Sequence, residues 1–229
     1  MTGDAIERGK IVIAGTGRAG TTVLVQVLTD LGLDTGYDGS ATVDARVNAG
    51  LERSLVGPDT PWIVKSPQLS STLGAVLDAG DARVEHVIIP IRDLDVAAAS
   101  RVRNTKYGSD LHTWGGLLGT NRATRQRDAL NEMLADLLFT IARHELPHTL
   151  LVFPRFTSDW EYTHRQLSFL APEIPATEWR DALVRRVEPG LIHEQPLSPG
   201  ERRLTVLGTV YNRGIARPMR GVRKLIGRR

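Results

Sequence analysis

The chain has 229 residues, 41% hydrophobic and 24% charged, with no cysteine and a formal net charge of +3. That composition excludes a disulfide-built scaffold, a thiolate metal site and a disordered chain, and it fits one α/β domain, residues 1–229, with a sizeable core. The mild charge and a sequence pI near 9.5 suit a polyanionic ligand and a basic tail more than a nucleic-acid coat, so no nucleic acid is expected as partner.

Met1 to Lys10 carries no apolar run, and no later span is long and apolar enough to cross a bilayer. The reading is therefore a cytoplasmic protein without a secretory leader or transmembrane segment. Ile11, Val12 and Ile13 suit a buried strand; Gly15, Gly17 and Gly20 permit a tight turn; Leu24, Val27, Leu28 and Leu31 then recur at helical spacing. A strand that enters a helix through bare backbone presents unpaired amides and the positive end of the helix dipole, a grip for an anion with several oxygens. The spacing Gly15, Gly17, Gly20 matches the dinucleotide fingerprint, but that motif wants a second strand soon after the helix, and Leu33 to Ser40 reads as loop. Gly15 to Thr22 also has nucleotide P-loop spacing, with Thr21 in the place of the lysine and Arg18 the only cation in the loop.

Val43 to Leu55 is compatible with a short helix or a solvated connection. Pro61 to Pro67 is a short β-like run that ends in a cation and a proline stop, which brings Lys65 and Ser66 to the strand end that faces a ligand in a parallel sheet. Gln68 to Gly80 predicts a helix and Val84 to Ile91 a second buried strand. Arg92 then leaves that strand, and a helix carries Ser100 two turns on, a guanidinium fork and a hydroxyl suited to one phosphate; capping of the helix by Asp93 or Asp95 is the structural alternative. Arg101 to Arg127 is a basic, glycine-bearing loop around Trp114, suited to a lid or a solvated connection, and His112 lies within it. Asp128 to His144 predicts an amphipathic helix, and His148 to Phe153 a strand. Ser158 and Glu161 have capping-box spacing ahead of a helix through Leu170, and Arg155 and Asp159 stand beside it. Thr177 to Val187 and Glu201 to Tyr211 read as helices, and the tail at about 212–229 is basic throughout. Surface packing or disorder, contact with an anionic lipid surface, and pairing with a ligand phosphate are the open uses of that tail.

The loop from Gly17 to Thr22, with Arg18 ahead of Ala19, Gly20, Thr21 and Thr22, resembles the 5′-phosphosulfate loop of sulfotransferases that use 3′-phosphoadenosine 5′-phosphosulfate (PAPS). It is most similar to branches that carry arginine where the cytosolic enzymes carry lysine. Lys65, Ser66 and Pro67 resemble the Lys-Thr/Ser-Pro element of several branches, with Pro67 where the cytosolic enzymes have a histidine base. Arg92 to Ser100 resembles the 3′-phosphate element, with Leu94 in place of the usual proline. The likeness is dense from Ile11 to about Ser100, thin to Leu170 and absent beyond.

The resemblance implies a three-layer P-loop NTPase-like α/β fold, with a central parallel β-sheet flanked by helices. It also implies in-line transfer of a sulfuryl group from PAPS to a hydroxyl or amine, PAP leaving as product and no metal taking part. Gly15, Thr16, Gly17, Arg18, Ala19, Gly20, Thr21 and Thr22 would hold the 5′-phosphate, Arg92 and Ser100 the 3′-phosphate, and Lys65 would share the transferring group. In the arginine branches the catalytic carboxylate follows the first helix, which makes Glu52 the first choice of base and Asp38, Asp44 and Asp34 the others. The acceptor is a small molecule, glycan or lipid, and a homo-oligomer and peripheral membrane contact stay open. Two alternatives remain: a P-loop kinase using ATP with magnesium on Asp93, and a non-catalytic nucleotide-binding module whose tail docks on a polyanion or membrane.

Overall fold

The computed structural model describes residues 8–39, 50–104, 122–188 and 192. Its chain divides into two compact units, Met1–Arg92 with Glu132–Ile192, and Asp93–Asn131 with His193–Arg229.

The first unit is built on four parallel strands: β1 (Lys10–Ile13), β2 (Ile63–Lys65), β3 (Val84–Ile91) and β4 (His148–Val152), in the order β2-β1-β3-β4. Every residue of β1 after Lys10 is buried, because helices cover both faces of the sheet and a central strand then has no polar side. Its side chains alternate between two cores. Ile11 and Ile13 join Ile63 and Ile88 beneath α1 (Thr21–Asp30), α6 (Trp160–Leu167) and α7 (Ala176–Arg186), around Leu24, Leu28, Phe156 and Trp179. Val12 joins Val64, Val87 and Ile89 on the other face, against α2 (Leu69–Ala79) and the later half of α4 (Ala123–Arg143), around Leu73, Leu137 and Ile141. The result is the expected α/β fold in three layers, with a P-loop-like passage from β1 to α1.

Topology follows from handedness. The chain steps from β1 to β2 on one side and then returns across β1 to β3, so right-handed crossovers put α1 and α2 on opposite faces. The connection from β1 and the one from β3 therefore depart in opposite directions, and the crevice between the carboxyl ends of these neighbours is the topological switch point. Ion pairing ties two helices of the same layer: Asp30 at the end of α1 accepts from Arg186 Nε at 2.8 Å and from Arg185 Nε at 3.3 Å on α7.

The second unit contains α3 (Leu94–Asn104) and the start of α4. Ala97, Ala98 and Leu130 pack together there, and Arg127 Nε reaches Asp95 Oδ1 at 3.3 Å on the surface.

Most elements fall within two residues of their expected bounds, though α3 runs on to Asn104, into the stretch from Arg101 expected as loop, and others depart for identifiable reasons. The α4 helix begins at Ala123, five residues before the expected Asp128, because its polar first turn carries no apolar periodicity to announce it. Ser158 does not cap the helix after β4. It belongs to a short turn, α5 (Arg155–Ser158), with its hydroxyl donating to Arg155 O at 3.3 Å, and Asp159 takes the cap, Oδ1 accepting from Tyr162 N at 2.9 Å. Residues 50–55 are not helical, and the rest of the proposed 43–55 helix lies outside the described residues, as do His112, Trp114, Asp44, the 201–211 helix and the basic tail.

Candidate functional site

The glycine loop between β1 and α1 is shaped by backbone conformations that L side chains avoid. Gly17, Arg18 and Gly20 have φ of 64°, 56° and 75°, and such compact left-handed turns form the concavities that grip anions. At Gly20 the requirement is also steric, since a Cβ would stand 2.7 Å from both Phe153 Cδ2 and Phe156 Cζ. Gly15 is pinned from the other side: its N–H donates to Ser70 Oγ at 2.9 Å, and that hydroxyl donates back to Gly15 O at 2.8 Å. Thr16, Ala19 and Thr21 are buried in the loop wall, Thr22 is half-buried, and α1 starts at Thr21 with no side-chain cap on its amides.

Three cations gather around this loop. Arg92 leaves the end of β3 and donates from Nη1 to Arg18 O at 2.9 Å, its guanidinium lying 4.8 Å over the Phe153 ring. Arg18 is pushed down to about 10, by burial first and by the nearby charge of Arg92 second, and it remains charged at neutral pH. Lys65 pairs in register with Ile13, the last residue of β1, and the following Ser66 N–H donates to Ile13 O at 3.2 Å. Burial holds the Lys65 ammonium below its ordinary value; the Glu52 carboxylate opposes that shift and Arg18 adds to it. Cations held in partly desolvated positions, repelling one another, make a strong attractor for a polyanion.

Glu52 stands beside this group. Lys65 Nζ donates to Glu52 Oε1 at 3.2 Å and to Gly50 O at 2.7 Å. The segment is strapped to its surroundings: Tyr37 OH donates to Glu52 O at 3.0 Å, Arg53 N donates to Lys65 O at 3.1 Å, and Leu51 is buried with φ of 56°.

The other acids divide by role. Asp34 is structural, its Oδ2 accepting from Trp62 N at 2.8 Å and its Oδ1 from Gly36 N at 3.2 Å, which fixes the entry into β2. Asp38 is exposed in the loop after α1. Asp93 Oδ1 accepts from Val96 N at 2.9 Å and so caps α3, a use that competes with holding magnesium. Arg155 and Asp159 pair with each other at 3.0 Å on the surface, and Asp159 is occupied as a cap. Ser100 belongs to the second unit, where it is buried on α3.

Sequence spacing alone does not indicate three contributors. Ser70 sits in an ordinary apolar helix, Tyr37 in a loop, and Phe153 at a strand end; only their packing onto Gly15, Glu52 and Gly20 gives them a part in the site. Among the described residues no cluster of three or more potential metal ligands occurs, and no helix is long and apolar enough to cross a membrane. Comparison with profiles of protein families, with curated proteins and with solved structures finds no match, so the functional reading stands on the residues and geometry of this chain.

Proposed function

We propose that the chain is a sulfotransferase that takes PAPS as co-substrate and transfers its sulfuryl group to a hydroxyl or amine of a small-molecule, glycan or lipid acceptor. In this reading the loop amides, Thr21, Thr22 and Arg18 receive the 5′-phosphate, and Arg92 attracts the 3′-phosphate. The acceptor oxygen forms a bond to sulfur as the bond from sulfur to the bridging oxygen breaks, and that electron pair leaves with the 5′-phosphate of PAP. The acceptor proton passes to Glu52, with Asp38 the second candidate. Lys65 and Arg18 stabilise the charge that builds on the departing oxygens, the effect that contributes most in reactions of this kind.

The observation that carries the reading is the hydrogen bond from Arg92 to the Arg18 carbonyl, which joins the turn after β3 to the turn after β1 at the switch point. A donor with phosphates at both ends of its ribose suits two such turns, one rich in glycine and one bearing a guanidinium. Calorimetric titration of adenosine 3′,5′-bisphosphate against ADP and ATP with magnesium tests it. The bisphosphate binds more tightly than ATP, and Arg92→Ala weakens it by about 10- to 100-fold, the range for losing a charge-assisted hydrogen bond. A preference for ATP that is indifferent to Arg92 moves the assignment to a kinase.

A further inference from the structure

We infer that Lys65 is shared between Glu52 and the bound anion, so that an anion in the glycine loop draws the ammonium away from Glu52 and releases the carboxylate for the acceptor. The inference rests on the proposed function and adds to it a coupling between the anion loop and the carboxylate that serves the acceptor.

The two partners are unequal. The Lys65 side chain is 2% exposed and the Glu52 side chain 44%, so the ammonium is shielded from water while the carboxylate has solvent at its back and can turn away. The contact runs through one oxygen at 3.2 Å, whereas the bond from the same ammonium to Gly50 O is 2.7 Å. An ammonium has three N–H groups in a compact head, and it can exchange one acceptor for another while keeping Gly50. The backbone around Glu52 is anchored through Tyr37 OH and through Arg53 N, so the exchange needs a side-chain rotation and no movement of the strap.

The loop is close enough to compete. Lys65 pairs with Ile13, two residues before Gly15, and the charge of Arg18 already acts on it. A doubly charged anion held by the loop attracts Lys65 and repels Glu52, and both effects loosen the pair. Linkage makes the effect reciprocal: whatever the anion does to the pair, the pair does to anion affinity.

The test is a double-mutant cycle on the full chain with inorganic pyrophosphate as probe, read by calorimetry for wild type, Glu52→Gln, Lys65→Met and the double variant. Glu52→Gln tightens pyrophosphate by about fivefold or more where Lys65 is present, the lower end of ordinary site coupling, and by less than about twofold in the Lys65→Met background. An equal effect in both backgrounds overturns the inference, because Glu52 then acts only through its general field. Failure of wild type to bind pyrophosphate at millimolar concentration overturns it too. Should Lys65→Met not fold, Lys65→Gln keeps a donor for Gly50 and completes the same cycle. Pyrophosphate lacks a nucleoside, so this coupling can fail while the preference for the bisphosphate over ATP holds, and the reverse.

Discussion

Gly20→Ala tests the cradle most directly, because its two costs can be separated. Gly20 adopts φ 75° and ψ 14° at the entry to α1, a conformation that costs an L residue about 1–2 kcal/mol. The added methyl would also meet the Phe153 and Phe156 rings at 2.7 Å, and these two rings already pack edge to face at a centroid distance of 5.8 Å. Neither ring has an easy retreat, since both are buried in the core that backs the loop, and forced overpacking costs about 1–3 kcal/mol. The sum is about 2–5 kcal/mol, a large share of the 5–15 kcal/mol of a typical domain. Gly32→Ala supplies the control: Gly32 has φ of 79°, and a methyl there would find no atom within 4 Å, so this variant carries the backbone cost without the clash. Urea unfolding of wild type and both variants gives the comparison, with a constant slope required to equate midpoint shifts with stability. Gly20→Ala loses about 1–3 kcal/mol more than Gly32→Ala, the overpacking share, and weakens pyrophosphate binding. Equal losses in the two variants refute the packing of the aromatic pair against the loop.

Three further outcomes follow from the same geometry. The Asp30 carboxyl is held below its usual range chiefly by hydrogen bonds from Arg186, so the unfolded chain binds its proton first as pH falls; the stabilisation is complete above about pH 4 and is lost as pH drops through the folded value. Asp30→Asn therefore costs about 1–3 kcal/mol at pH 7, and its urea midpoint converges with wild type once the pH has dropped through the folded value; a gap that persists in acid contradicts the pairing. Arg18 titrates near 10 in the fold, below the usual arginine value, so the unfolded state binds more protons above that pH and wild type gains stability relative to Arg18→Met between about pH 9 and 11. Thermal unfolding of the two proteins across that range shows a rising difference, and a flat difference rejects the burial of the Arg18 charge. Asp34→Ala removes the acceptor of the Trp62 and Gly36 amides and, because water can take its place at this exposed turn, lowers stability by only about 0.5–1.5 kcal/mol in the same urea assay, with affinity for pyrophosphate unchanged; a weakened affinity at equal stability would return Asp34 to the binding machinery.

The elements were legible because their determinants are local. Val84 to Ile91 is a strand as its β-branched run implies, and Gly80 ends α2 in the left-handed conformation that a helix stop requires. The glycine loop was legible for the same reason, since positive φ at Gly17 and Gly20 is written into the residue type. Where polar side chains compete for a cap, local pattern misled: Ser158 and Asp159 are both good caps, and the choice between them fell to the turn that α5 makes before the helix. The acids after α1 show the same limit. Asp34 and Glu52 look alike as loop carboxylates, yet one is consumed by backbone amides at the entry to β2 and the other meets a buried ammonium.

The sequence by itself determined the α/β class, the strand that feeds a helix through glycine, and the presence of cations at strand ends, because periodicity and residue conformational preference act over a few neighbours. Tertiary structure alone decided which side chains meet: Arg92 with the Arg18 carbonyl across 74 residues of chain, Ser70 with Gly15 across 55, and Lys65 with Glu52. Such meetings depend on strand order, crossover hand and register, which are set by the burial of two apolar cores at once and leave no trace in the spacing of any one segment.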